Sequence, residues 1–184
     1  MVELSLAVLL PLLLLAWLLA LALGLRRRWR ARAKARRPLA VLDGSNVMHW
    51  RDGRPQIATL SEVLTRLDLM GYRCGVVFDA NAGYLLTGRY MNDRQFCQLL
   101  GLEQDHVLVV PRGAQADPYL LDFANQSAAV IISNDRFRDR IAGYPDLARP
   151  GRLVRGGYRD NALWLDLAPA GQEARKQGAR KSVA

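Results

Sequence analysis

The chain has 184 residues, 51% hydrophobic and 23% charged, with 26 Lys and Arg against 17 Asp and Glu. One ordinary domain fits that length, so a large multidomain enzyme is excluded, and the apolar content excludes a disordered chain. Cys74 and Cys97 are too few for a disulfide scaffold or a Cys-rich zinc site and read as reduced thiols.

The positive excess suggests a nucleic-acid binder until it is mapped. Eight basic residues lie within residues 26–37, and four more are Arg175, Lys176, Arg180 and Lys181. Between those segments stand 14 basic and 15 acidic side chains, so the central domain is close to neutral. Arguments about nucleic acid must therefore rest on local patches.

In chain order, Leu6 to Leu25 is uncharged and apolar, interrupted only by Pro11 and Gly24. As a helix it would span roughly 30 Å, the thickness of a bilayer core. Residues 1–25 are thus expected to be a transmembrane anchor and 26–37 a basic juxtamembrane linker. Only Glu3 precedes the run and the arginines follow it, the reverse of a secretory signal. The positive-inside rule then puts everything after Arg26 in the cytoplasm, on the inner membrane of a single-pass protein. The lipid bilayer is one expected partner, with the arginines resting on anionic headgroups.

Residues 38–168 read as alternating strands and helices. Leu39–Asp43 is a short apolar strand ending in a carboxylate. Leu60, Val63, Leu64 and Leu67 predict a helix over Leu60–Met70. Arg73–Asp79 is a second strand, and Tyr90–Leu100 a helix. His106–Val110 is a third strand, and Asp117–Asn125 a helix with Pro118 in its first turn. Ala128–Ile132 is a fourth strand, followed by a short helix to about Ala142. Leu153–Leu167 holds one or two further strands, and residues 169–184 form a disordered basic tail. Strands apolar on both faces, alternating with helices, indicate a parallel sheet covered on both sides. No GxGxxG or GxxxxGK[ST] loop is present, so cofactor-nucleotide and P-loop readings have no support.

In open α/β sheets ligands bind outside the carboxyl ends of the strands. Asp43, Asp79 and Asp135 stand at or just after three such ends, and Asp117 opens the helix after the third strand. Asp139, four residues after Asp135, would share its face on a helix. Asp79 and Asp117 also have an ordinary reading as turn and helix caps. Clustered carboxylates repel one another, at a cost that a cation relieves. Oxygen ligands without His or Cys suit Mg²⁺ or Mn²⁺. Such an ion can activate water and neutralise a phosphodiester, which points to metal-assisted hydrolysis.

At these residues the chain resembles a known family. Leu42-Asp43-Gly44-Ser45-Asn46-Val47, Val76-Val77-Phe78-Asp79, Pro111 to Asp117, Tyr119 to Ala124 and Ile131-Ile132-Ser133-Asn134-Asp135-Arg136-Phe137-Arg138-Asp139 are similar to motifs of the NYN domains in the PIN-like nuclease superfamily. The branch is the Regnase type, that of the CCCH-zinc-finger ribonucleases and their bacterial relatives. The resemblance implies a PIN-like three-layer α/β/α sandwich with a central, mainly parallel sheet. It implies an endoribonuclease dependent on Mg²⁺ or Mn²⁺ that acts on single-stranded RNA. Asp43, Asp117 and Asp135 would be metal ligands, with Asn46 and Asp139 beside them as catalytic residues and Asp79 as an additional acid. Ser45, Arg112, Ser133, Asn134 and Arg136 are candidate substrate contacts. Homodimers are common among PIN-like domains, so a second copy is a candidate partner. The chain departs from the Regnase pattern at Pro118, which stands where those proteins carry a second adjacent acid, and it has no CCCH finger. An inactive, membrane-tethered RNA-binding or scaffold module of the same fold is the competing expectation.

Overall fold

A computed structural model describes residues 12–14, 16, 17, 19–26, 33 and 35–167. They belong to two units, Met1–Arg37 and Pro38–Ala184. In the first, residues 19–26 are helical, and Leu19, Leu21, Leu23 and Leu25 are exposed. Among the described residues no helix is long and apolar enough to cross a membrane. The expected span Leu6–Leu25 lies partly outside the described residues, as does most of the basic linker; the expected tail 169–184 lies wholly outside them.

The second unit runs β1 (Leu39–Asp43), a single turn α1 (Gly44–Val47), α2 (Ile57–Leu69), β2 (Arg73–Phe78), α3 (Ala82–Thr87), α4 (Asp93–Leu100) and β3 (Val107–Val109). It continues through α5 (Ala116–Ser127), β4 (Val130–Ile132), a 3₁₀ turn (Ile141–Gly143), β5 (Leu153–Val154), β6 (Gly156–Arg159) and β7 (Ala162–Leu165). Five strands form one sheet in the order β3-β2-β1-β4-β5, every neighbouring pair parallel. β6 and β7 form a separate antiparallel hairpin.

Strand alternation divides the core in two. Ala40, Leu42, Val76, Phe78 and Ile132 point to one face, where they meet Leu60, Val63 and Leu67 of α2 and Phe96 of α4. Val41, Val77 and Ile131 point to the other, against Leu120, Leu121 and Ala124 of α5 together with Phe137 and Leu147. Helices thus cover both faces of a parallel sheet, as expected. β1 lies at its centre, so its carboxyl end opens between the ends of β2 and β4, in register at Asp43–Val77 and Leu42–Ile132.

Several local expectations are corrected. α2 begins three residues earlier than its apolar spacing suggests, and β2 stops at Phe78, leaving Asp79 in the following turn. The helix expected from Tyr90 starts at Asp93, because Asn92 and Gln95 form a capping box there. α3 has no counterpart among the expected elements, and the C-terminal stretch holds three short strands. No helix forms between Asp135 and Arg140. Asp135 Oδ1 instead accepts the Phe137 N–H at 2.7 Å, and Phe137 takes a left-handed φ of 47° to bury its ring. A carboxylate bonding the backbone two residues on competes with helix formation. The helical relation between Asp135 and Asp139 is therefore absent, and Asp139 is exposed on the loop.

Candidate active site

Asp43 is the centre of the arrangement. As the last residue of the central strand it is only 8% exposed. Its Oδ1 accepts the Asn46 N–H at 3.0 Å, capping α1, and its Oδ2 accepts the Ser133 hydroxyl at 2.9 Å. Burial pushes its carboxyl up to about 6; the bonds from Asn46 and Ser133 oppose that rise, and the negative charges of Asp117 and Asp79 add to it. A buried acid held ready by two donors and crowded by other acids is costly for the fold alone.

The turn after β4 is built onto the turn after β1. Ser133 Oγ donates to Asp43 and accepts the Asp135 N–H at 3.1 Å, so one hydroxyl couples the two acids. Asn46 Oδ1 accepts the Asn134 N–H at 3.0 Å and the Trp50 indole N–H at 2.8 Å. Asn134 in turn donates through Nδ2 to the Gly156 carbonyl at 2.9 Å and accepts the Gly156 N–H at 3.2 Å. A Cβ on Gly156 would lie 2.5 Å from Trp50 Cζ3, so only glycine lets the hairpin close against that ring. Asn46 and Asn134 thus act here as braces. Sequence reasoning placed both near catalysis or substrate, and it missed Trp50 and Gly156 as members of the brace.

Asp79 and Asp117 complete the crevice. Ser45 Oγ accepts the Asp79 N–H at 2.9 Å, and Asp79 Oδ1 accepts the Ala116 N–H at 3.1 Å at the start of α5. The Asp79 side chain thus bonds the start of α5 and not its own turn, and Ser45 is a structural contact. Asp117 is half-exposed; its carboxyl is raised by partial burial and by Asp135, lowered by Arg140, and raised further by Asp79. Arg140 Nε sits 3.7 Å from Asp117 Oδ2, and Arg140 Nη2 donates to Gln115 Oε1. The charges of Asp117 and Asp79 thus reach Asp43, and those of Asp135 and Asp79 reach Asp117. Among the described residues no three His, Cys, Asp or Glu side chains are grouped closely enough to hold one metal ion. The donor chemistry, carboxylate oxygens without His or Cys, fits a hard divalent cation.

Of the basic candidates, Arg112 donates to the Tyr84 hydroxyl at 2.6 Å, while Arg136 and Arg138 are exposed beside Asp135. His49 Nδ1 lies 2.9 Å from the Ser45 carbonyl, within this turn. Tyr158 is away from the acids: its hydroxyl donates to Glu62 at 2.8 Å under Arg51, and burial with that bond raises it to about 12.

The profile of the Zc3h12a-like ribonuclease NYN domain matches residues 36–158. Comparison with curated proteins returns no match. Among solved structures, the crystal structure of nuclear proteinaceous RNase P 2 (PRORP2) from A. thaliana is similar with a TM-score of 0.55 and 17% identity, over 71% of this chain and 30% of that one. A second structure of the A. thaliana nuclear protein-only RNase P 2 gives a TM-score of 0.45 and 19% identity, over 82% of this chain and 35% of that one. The chain thus spans about a third of the length of those proteins, and the first likeness supports the fold.

Proposed function

As the chain belongs to the Zc3h12a-like ribonuclease NYN domain family, we propose that it is an endoribonuclease that hydrolyses internal phosphodiester bonds of single-stranded RNA with Mg²⁺ or Mn²⁺. The observation that carries this reading is Asp43: a carboxylate at the carboxyl end of the central strand, raised to about 6 chiefly by its burial, with the charges of Asp117 and Asp79 adding to the rise. Asp43 would hold the cation, with Asp117 and Asp135 on its open side. When bound, such an ion lowers the pKa of water and neutralises charge on the phosphate.

The protein's own contributions follow from the geometry. Ser133 and the Asn46 N–H aim the two oxygens of Asp43. The Asn46–Asn134 bond holds the β4 turn, and with it Asp135, against the β1 turn. Arg112 on one side and Arg136 and Arg138 on the other supply positive charge for the RNA backbone around an acidic centre. Asp139, exposed on its loop, would act through solvent.

The test is cleavage of a labelled single-stranded RNA by the full chain in Mg²⁺, Mn²⁺ or EDTA. Asp43→Asn and Asp135→Asn are expected to abolish metal-dependent cleavage without unfolding the protein. Full activity in either variant overturns the assignment. A second reading, a non-catalytic RNA-binding module, is favoured by Pro118 in place of a second acid. Metal-independent RNA binding without cleavage by either ion selects it.

The apolar run before the arginines supports an anchor that faces this domain to the cytoplasm. Retention of the full chain in alkali-washed membranes, and release when residues 1–25 are deleted, would test that. A concentration-dependent mass in detergent would test the homodimer.

A further inference from the structure

We propose that Tyr84, Tyr90 and Arg112 form a platform on which an unpaired base of the RNA stacks beside the acid crevice. The identity of this ligand rests on the nuclease reading above; the platform rests on different residues. Tyr84 and Tyr90 are each 44% exposed and belong to neither core cluster. α3 turns Ala82 inward and presents Tyr84 and Leu85 to solvent. The chain then doubles back so tightly that a Cβ on Gly83 would lie 2.5 Å from the Met91 nitrogen and 2.8 Å from the Arg89 carbonyl. That close approach brings Tyr90 to the same guanidinium as Tyr84. The Arg112 Cζ lies 5.8 Å from the Tyr84 ring centroid and 6.0 Å from that of Tyr90, and Nη2 donates to the Tyr84 hydroxyl. Both tyrosines are thus held around one cation while their surfaces stay open, and Arg89 adds a second exposed charge on the same loop.

The location joins this cluster to the crevice. α3 begins three residues after Asp79, and Arg112 lies four residues before Ala116, whose N–H is bonded by Asp79. The exits of β2 and β3 are side by side, with the Val110 N–H on the Phe78 carbonyl. A strand crossing Asp43 and Asp117 toward that side would meet two flat rings and two positive charges. Aromatic faces stack any base that is not paired, and arginine adds phosphate and cation–π attraction. A base inside a duplex offers no free face, so the platform would select single strands.

The experiment measures binding of a labelled eight-nucleotide RNA, single-stranded and as a duplex, to the full chain in detergent with EDTA, so that nothing is cleaved. Tyr84→Ala with Tyr90→Ala is expected to weaken the single strand about ten- to a hundredfold and leave the duplex unchanged. Tyr90→Phe is expected to bind like the wild type, since the ring does the stacking. An abasic nucleotide scanned along the RNA should reproduce the loss at one position and add little to the double alanine variant there. Unchanged affinity in the double variant, equal loss for both RNA forms, or loss in Tyr90→Phe overturns the platform. Cleavage by the wild type is scored separately. Tyrosine-dependent binding without cleavage would keep the platform and overturn the nuclease, and cleavage with unchanged binding in the double variant would do the reverse.

Discussion

Replacing Asp43 by asparagine tests whether burial, and not hydrogen bonding, dominates the energetics of the site. The Asp43 carboxyl rises from 3.8 to about 6 on folding, with desolvation as the largest cause. A raised folded pKa means that the folded protein prefers the protonated acid. The stability this group contributes is present below about pH 4 and is lost as pH rises through about 6. A shift of about two units corresponds to roughly 3 kcal/mol. Of that, on the order of 2–3 kcal/mol should be lost by the wild type between about pH 4 and about pH 7.5. The amide of the Asp43→Asn variant does not titrate. It can still accept the Asn46 N–H, and any penalty at Ser133 is constant with pH. The difference in unfolding free energy between the two proteins, measured by urea titration in EDTA and followed by circular dichroism, should therefore move by that amount in favour of the variant as pH rises. A flat difference curve, or one of opposite slope, would refute the reasoning. At subsaturating Mg²⁺, where metal competes with the proton for Asp43, the same ionisation should appear as a cleavage rate that falls when pH drops through about 6.

Ser133→Ala removes a hydroxyl that donates to Asp43 and accepts the Asp135 N–H. It should cost about 1–3 kcal/mol in denaturant unfolding, and it should move the pH midpoint of cleavage upward because a bond that lowers the Asp43 pKa is gone. Trp50→Phe keeps the ring packing but strips one of the two donors from Asn46 Oδ1. A loss of about 1 kcal/mol in unfolding free energy is expected. Gly156→Ala drives a Cβ into Trp50 Cζ3 at 2.5 Å and Leu165 Cδ2 at 2.6 Å. It should cost about 1–3 kcal/mol as hairpin and indole are forced apart; a melting temperature equal to wild type would show that the ring moves freely.

The parts that were legible in the sequence are those set by local pattern. Strands β1, β2, β3 and β4 are short runs apolar on both faces, which only a covered parallel sheet accommodates, and their ends located Asp43 and Asp79. Pro118 in the first turn marked α5 and placed Asp117. What escaped depends on contacts far apart in the chain. Asn46 and Asn134 meet across 88 residues, and Asn134 meets Gly156 across 22. No periodicity announces such pairs, so their amides read as free to meet substrate. The loop after Asp135 failed for a local reason: the carboxylate that looked like the start of a helix face turns back on the Phe137 N–H.

Pro118 raises the question of what replaces the missing acid. It is the third residue of α5, where the helix has no internal acceptor for an N–H, so the exchange of acid for proline costs the helix little. Among the described residues, the carboxylate that bears on both Asp43 and Asp117 is Asp79, which raises each of them. Asp79 has two separable jobs: one oxygen accepts the Ala116 N–H, and its charge enters the crevice. Asp79→Asn keeps an oxygen for Ala116 and removes the charge. If Asp79 supplies the charge that a second acid would, this variant should fold as stably as the wild type or slightly better, because like-charge repulsion is relieved. It should nevertheless need several-fold more Mg²⁺ to reach half of its maximal cleavage rate. Asp79→Ala should show the same metal requirement and lose a further ~1 kcal/mol of stability with the cap. A magnesium titration unchanged in Asp79→Asn would reduce Asp79 to the cap of α5 and leave the crevice with Asp43, Asp117 and Asp135 to hold the ion.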